Sequence, residues 1–303
     1  MLLYQRIRAR AEKGEKSILL VPEQFTSSTE GRIYRELGDA LSGMVESFSF
    51  TSLAEKILST EGGAAVQTLS DAGRAVLVRR ALEELQDNVH YYHRHRRSAA
   101  FCQMAAQTID ELKSAGLSGQ QLAQLAGDCG AERGKLSELA LIFQGYETLL
   151  ARSGMDPSDR LELAGARLEE ALARHSLPEF LRDRAVFIDE FDTFNAPKKR
   201  LLGAMLVALP SVTVALCDDG APLLPGDLSL FSGAKQVAAQ LRQLARKNGA
   251  EVAVPQLLRK DLRHRNAPGL AAVAELLETG SCTADAPAGE VRLFAAPSRE
   301  EEA

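Results

Sequence analysis

The chain has 303 residues, 45% of them hydrophobic, which suffices for one large domain or two ordinary ones with a buried core. Its 36 Lys and Arg against 41 Asp and Glu give a net charge of -5, so a global attraction to nucleic acid is excluded and any DNA contact must come from a local patch. The four cysteines, Cys102, Cys129, Cys217 and Cys282, form no C-x-x-C pair, no apolar run approaches a membrane span, and the N-terminus lacks a signal-peptide pattern; together these predict reduced thiols, no metal cluster, no membrane contact and a cytoplasmic location.

Leu3, Ile7 and Ala11 recur at helical spacing, and Gly14 stops that helix before a buried strand over 17–21. A helix over 29–37, a strand over 44–50 and a helix over 52–58 follow, a βαβα rhythm that implies a parallel sheet. Gly62 and Gly63 close that unit. From 70 to 173 the pattern is helical, with apolar stripes such as Ala75, Val78, Leu82 and Leu85, or Leu139, Phe143, Tyr146 and Leu150. Stripes of this kind are core rather than ligand sites. Strand character returns over 185–188 and again over 212–216, which ends in Asp218 and Asp219, with a helix over 198–209 between them. A helix over 235–247, a loop over 280–289 and a last strand over 291–295 complete the reading. The expected architecture is α/β: a parallel sheet built from 1–65 and 181–303, split by an all-helical insertion over 66–180.

The run RAVFIDEFD over 184–192 is apolar until it ends in Asp189 and Glu190, and carboxylates at the end of a buried strand need a reason. In P-loop NTPases such a strand delivers one carboxylate towards Mg²⁺, and in helicases a second orients the attacking water. No G-x-x-x-x-G-K-[ST] occurs in the chain, and its opening helix stands where the helix after a phosphate loop would stand, so the first strand and loop are expected upstream of Met1. The alternative is a strand end that simply reaches solvent. The segment VPEQFTSSTE over 21–30 leaves a parallel strand at its carboxyl end, where α/β sheets bind ligands; its hydroxyl and amide groups suit phosphates or base edges, and Ser27, Ser28 or Thr29 could equally cap a helix. Alternation would send Phe48 and Phe50 to one face, with Phe48 in the core and an exposed ring at the strand end available to stack on a base. HYYHRHRR over 90–97 suits phosphate contact or a solvated loop; His90, His93 and His95 have no acidic or Cys partner for a metal.

Eight segments, SILLVPEQFT (17–26), VESFSFTSLAEKIL (45–58), LSDAGRAVLVRRALEEL (69–85), TIDELKSAGLS (108–118), KLSELALIFQGYETLL (135–150), DPSDRLELA (156–164), FIDEFDTFNAPKKRLL (187–202) and SVTVALCDD (211–219), resemble in order and spacing the N-terminal part of the AddB family. AddB is the second subunit of the bacterial AddAB helicase–nuclease. The resemblance implies a P-loop, superfamily 1 helicase-like fold lacking its first strand and P-loop, in a subunit that resects broken duplex ends for recombinational repair. Its partners would be single-stranded DNA drawn from those ends and an AddA-like helicase–nuclease subunit. It places Gln24, Thr26 and Phe50 in a DNA-binding channel that scans for a recombination hotspot, and makes Asp189 and Glu190 a vestigial Mg-ATP motif. Catalytic residues and cofactors are expected to be absent from this segment; ATP with Mg²⁺, and an iron–sulfur cluster in the C-terminal nuclease region, are implied for the whole family member. Ser52 and Glu55 depart from the Arg and large aromatic of relatives, and Asp192 departs from the usual motor Gln. Two other readings stay open: an ATPase whose phosphate loop lies upstream, and a structural platform for the partner subunit.

Overall fold

Four short runs, rich in apolar and β-branched residues, pair as parallel strands: Ser17–Leu20 (β1), Val45–Phe48 (β2), Ala185–Ile188 (β3) and Ser211–Val214 (β4), in the order β2-β1-β3-β4. The computed structural model of the protein describes residues 2–258 and 266–281. In it β1 and β3 are direct neighbours, with Ile18 opposite Val186 and Leu20 opposite Ile188. The sheet is therefore assembled from two stretches far apart in the chain, as the split-sheet reading requires. Both central strands are buried along their whole length, which is why they read as continuous apolar runs.

Alternation divides those strands between two cores. Ile18, Leu20, Val186 and Ile188 face one cluster, while Leu19, Val21, Ala185 and Phe187 face the other. The second cluster is closed by helices Leu2–Ala11 (α1) and Thr26–Leu37 (α2), through Tyr4, Ile7, Ile33 and Leu37. A short helix, Asp39–Ser42 (α3), leads into β2. The first cluster is closed by Phe50–Glu61 (α4), Pro157–Ala173 (α9), Ala196–Ala208 (α10) and Ser232–Lys247 (α11). Between α4 and α9 lie Asp71–Glu84 (α5), Ala99–Ser114 (α6), Gly119–Ala126 (α7) and Arg133–Ser153 (α8), packed round a third cluster that contains Val78, Ile109, Phe143 and Tyr146. These elements belong to one compact unit, Met1–Cys217 with Ala234–Val252. The second unit, Asp218–Gly233 with Ala253–Ala303, contributes the helix Pro268–Thr279 (α12), which the sequence reading did not single out. In that unit Asp218 and Asp219 accept the N–H groups of Gly220 and Ala221, as turn-forming aspartates do. The strand expected over 291–295, most of the loop over 280–289, and Cys282 lie outside the described residues. No helix among the described residues is long and apolar enough to cross a membrane.

A buried polar network joins the helical segment to α9. Asp156 precedes α9 and accepts from the Tyr146 hydroxyl at 2.6 Å, while Lys113 Nζ lies 3.0 Å from Asp156 and 2.6 Å from the Asp159 carboxylate. Burial pulls the Lys113 ammonium down, but the Asp159 and Asp156 carboxylates outweigh it and leave the group above its ordinary value. Its folded pKa being raised, the stability it contributes is complete below the ordinary lysine range and is lost only as pH rises through the raised value. Lys113→Met strands the buried Asp156 charge, and is expected to cost about 3–5 kcal/mol at neutral pH in urea unfolding.

Candidate functional site

Parallel pairing of β1 with β3 puts the carboxyl ends of both strands, and the loops that leave them, at one edge of the sheet. The Asp189 N–H donates to the Leu20 carbonyl at 3.0 Å, continuing the ladder one residue beyond the strands. The loops then diverge round a cleft of about 410 Å³. Its floor and walls come from Pro22, Glu23 and Gln24 after β1, from Ser49, Phe50 and Thr51 after β2, and from Glu190 to Thr193 with Lys198 after β3. That volume falls in the range of about 300–1,000 Å³ usual for small-ligand sites.

Gln24 is exposed on the cleft, and among the described residues its side-chain amide has no hydrogen-bond partner. Thr26 does not line the cleft, and its hydroxyl donates to the Glu23 carbonyl at 2.9 Å. The capping reading for Ser27, Ser28 or Thr29 is not realised: α2 begins earlier, at Thr26, with Phe25 at its N-cap, Ser28 donates back to the Phe25 carbonyl, and Thr29 is buried. Phe50 corrects a second expectation. The strand ends at Phe48 and Ser49 caps α4, so alternation no longer applies at 50 and the ring turns inward, 2% exposed. Phe48 is only partly buried. Phe50 forms an aromatic cluster with Phe191 and Phe194, at centroid distances of 5.2 and 6.1 Å, and so builds the cleft wall without presenting a free face. The exposed ring of this edge is Phe25, at 38%.

Asp189 and Glu190 separate. Asp189 is partly buried and its Oδ1 accepts the N–H of Glu190 at 3.1 Å, while Glu190 is exposed with a positive φ of 64°. Among the described residues no three His, Cys, Asp or Glu side chains gather as a metal set. Of the cysteines among the described residues, Cys102 is buried on α6, and Cys129 and Cys217 are exposed.

The group that sequence reasoning missed is Lys198. Asn195 accepts the Lys198 N–H at 3.1 Å as the cap of α10, with Pro197 in the first turn, and this fixes Lys198 at the third helical position. Its ammonium stands 5.7 Å from the Phe50 centroid and 5.4 Å from that of Phe191. Among the described residues no carboxylate lies within ion-pair distance of it. Burial pushes its pKa below the ordinary lysine value, against a weaker pull from Glu23, and a cation near a helix N-terminus is also unfavourable. The signal in the sequence was the spacing Phe191, Phe194, Asn195, Pro197, Lys198, which is a cap joined to two rings. Ser52 and Glu55 have local roles. Ser52 completes a capping box with Ser49, and Glu55 holds Arg160 of α9 in a two-pronged ion pair.

The family model described as "ADDB, N-terminal" matches residues 1–274. The chain belongs to the AddB family. Relatives include the AddB-type subunit of the ATP-dependent helicase/deoxyribonuclease of Desulforudis audaxviator, 33% identical over 97% of this chain and 25% of its own length. The corresponding subunits from Symbiobacterium thermophilum and Clostridium perfringens are 31% and 29% identical, over 96% and 82% of this chain. The chain spans about a quarter of the length of these AddB relatives, between 21% and 26%.

Because the folded pKa of Lys198 is depressed, its charge opposes folding at neutral pH and the penalty is relieved as pH rises towards the ordinary lysine value, about 10.4. Lys198→Met is therefore expected to raise the urea midpoint at pH 7, with an advantage that narrows at alkaline pH. Unfolding titrations of the two proteins between pH 7 and pH 10 check it.

Proposed function

We propose that this chain forms the helicase-like N-terminal part of an AddB protein, and that the cleft reads bases of a single DNA strand passing along the carboxyl edge of the sheet. The observation that carries this reading is the half-buried, unpaired Lys198 ammonium held over two rings beside the unpartnered Gln24 amide. A fold keeps a desolvated cation without a counter-charge at a cost, and a ligand acceptor group offsets it.

Charge decides which part of the strand enters. Glu23, Glu190 and Asp192 line the cleft against one lysine, so it is poorly suited to phosphate. It suits base edges: carboxylates accept from exocyclic amines, lysine donates to guanine acceptors, and a glutamine amide serves adenine. This matches sequence scanning for a recombination hotspot by Gln24 with Thr26 behind it, and assigns Phe50 to shaping the wall. The names of the relatives support a role within a multi-subunit ATP-dependent helicase/deoxyribonuclease; on this reading the partner is a subunit of the AddA kind. On this reading double-strand break repair by recombination in the cytoplasm is the setting, and ATP, Mg²⁺ and an iron–sulfur cluster belong to other parts of the complex. Asp189 and Glu190 remain as a vestige of a nucleotide motif. The helicase-like core is then 1–65 with 181–303, and 66–180 is its insertion.

Lys198→Ala and Gln24→Ala are each expected to lose about 1–3 kcal/mol of discrimination between preferred and scrambled single strands. The dependence of binding on salt should stay as in the parent. Competition binding against an oligonucleotide panel measures both, and unchanged sequence preference in both variants would refute the base-reading cleft.

A further inference from the structure

The acidic cleft leaves the sugar–phosphate backbone without a partner, and the helical segment carries a surface suited to it. Residues 90–97 hold three Arg and three His in eight positions, and Asp87 is the sole acid between 85 and 109. The loop is fixed in place. Glu138 of α8 accepts the backbone N–H groups of His90, Tyr91 and Tyr92 at 2.9, 2.8 and 3.1 Å. Burial raises the Glu138 carboxyl, but the amides of Tyr91, His90 and Tyr92 prevail and hold it below its ordinary value. A single 3₁₀ turn, His93–His95, follows, and the rings of Tyr92 and His95 lie 5.3 and 5.6 Å from Phe101.

Four carboxylates on the adjoining helices and turn are already engaged. Glu138 holds the amides, Glu132 pairs with Lys135 at 2.8 Å, and Glu83 and Glu84 pair with Arg79 and Arg80. Among the described residues no carboxylate pairs with Arg94, Arg96 or Arg97, and Arg94 and Arg97 are exposed. Tyr91 is 54% exposed, but Lys135 stands 5.3 Å over its ring and Tyr92 meets it edge-on at 5.0 Å. The loop thus offers unpaired cations without the stacking platform that single-strand binding uses. Such cations suit the dense, regularly spaced phosphates of a duplex, and the Glu138 clasp already orders the backbone at 90–92 from which they follow.

We propose that the loop over 90–97 is a sequence-independent anchor for the phosphate backbone of duplex DNA, made chiefly by Arg94 and Arg97. This rests on the reading of the chain as part of a DNA-processing subunit and extends it from the cleft to the helical segment. The test compares the full chain with Arg94→Ala/Arg97→Ala and Arg94→Lys/Arg97→Lys, using a blunt duplex and a single strand of unrelated sequence across a salt series. Each lost phosphate contact reduces the slope of log K against log [salt] by about 0.9 on a duplex, so the double Ala variant should lose about 1.8 and bind roughly tenfold or more weakly at 0.1 M salt. The double Lys variant should keep the parent slope. An unchanged duplex slope in the double Ala variant, with single-strand binding intact, overturns the anchor alone. Polyglutamate bound as tightly as duplex overturns the assignment to DNA. A parent chain that binds neither DNA overturns both the anchor and the reading on which it rests.

Discussion

Everything at the candidate site depends on one pairing, the parallel register of Ser17–Leu20 with Ala185–Ile188. The paired backbones satisfy each other's polar groups between two apolar layers where no water could do so. Ile18 and Val186 then face one core, and Leu19 and Phe187 the other. A slip of one residue would exchange the faces of a whole strand, so the register is strongly specified. With it fixed, the loops carrying Gln24 and Lys198 are brought to a common edge, although the helical segment separates them in the chain.

Two partly buried lysines contrast in this fold. Lys113 sits between Asp156 and Asp159 with Tyr146 completing the network, and each charge there has its partner. Lys198 has aromatic faces below it and no carboxylate in contact, a cation–π arrangement worth roughly 0.5–2 kcal/mol that only partly offsets desolvation. A local rule broken without compensation inside the fold points to a compensation supplied from outside. The acidic strand end gives the opposite lesson. Asp189 accepts the Glu190 amide while Glu190, at a positive φ, is exposed on the cleft, so the two adjacent carboxylates have different surroundings.

Much of the sheet was legible in the sequence because its central strands are apolar on both faces. The strand expected over 185–188 matches β3 in both bounds, and β1 ends one residue short of its expected extent. Helix starts were less legible: α2 and α10 begin three and two residues earlier than periodicity alone indicated, since Thr26, Ser28 and Pro197 carry no apolar period. Phe50 was misplaced because a period of two was carried past Phe48, where the Ser49 cap changes the chain to a helix. Gln24 could be placed at a strand's carboxyl end, but the environment of Lys198 is completed by Phe50, from which the whole helical segment separates it in the chain, and the local spacing with Phe191 and Phe194 shows only one side of it. The departures at Ser52 and Glu55 became intelligible only with Ser49 and Arg160 beside them.

The central claim is that one cleft, lined by loops from both parts of the sheet, holds a single DNA strand. Photo-crosslinking with a benzophenone side chain placed at Gln24 or at Thr193, on opposite loops of that cleft, tests it most directly. The account predicts that both positions capture the same single-stranded oligonucleotide, and that excess unlabelled strand of the preferred sequence abolishes both products. Capture at neither position, while the protein still binds the oligonucleotide, would contradict it.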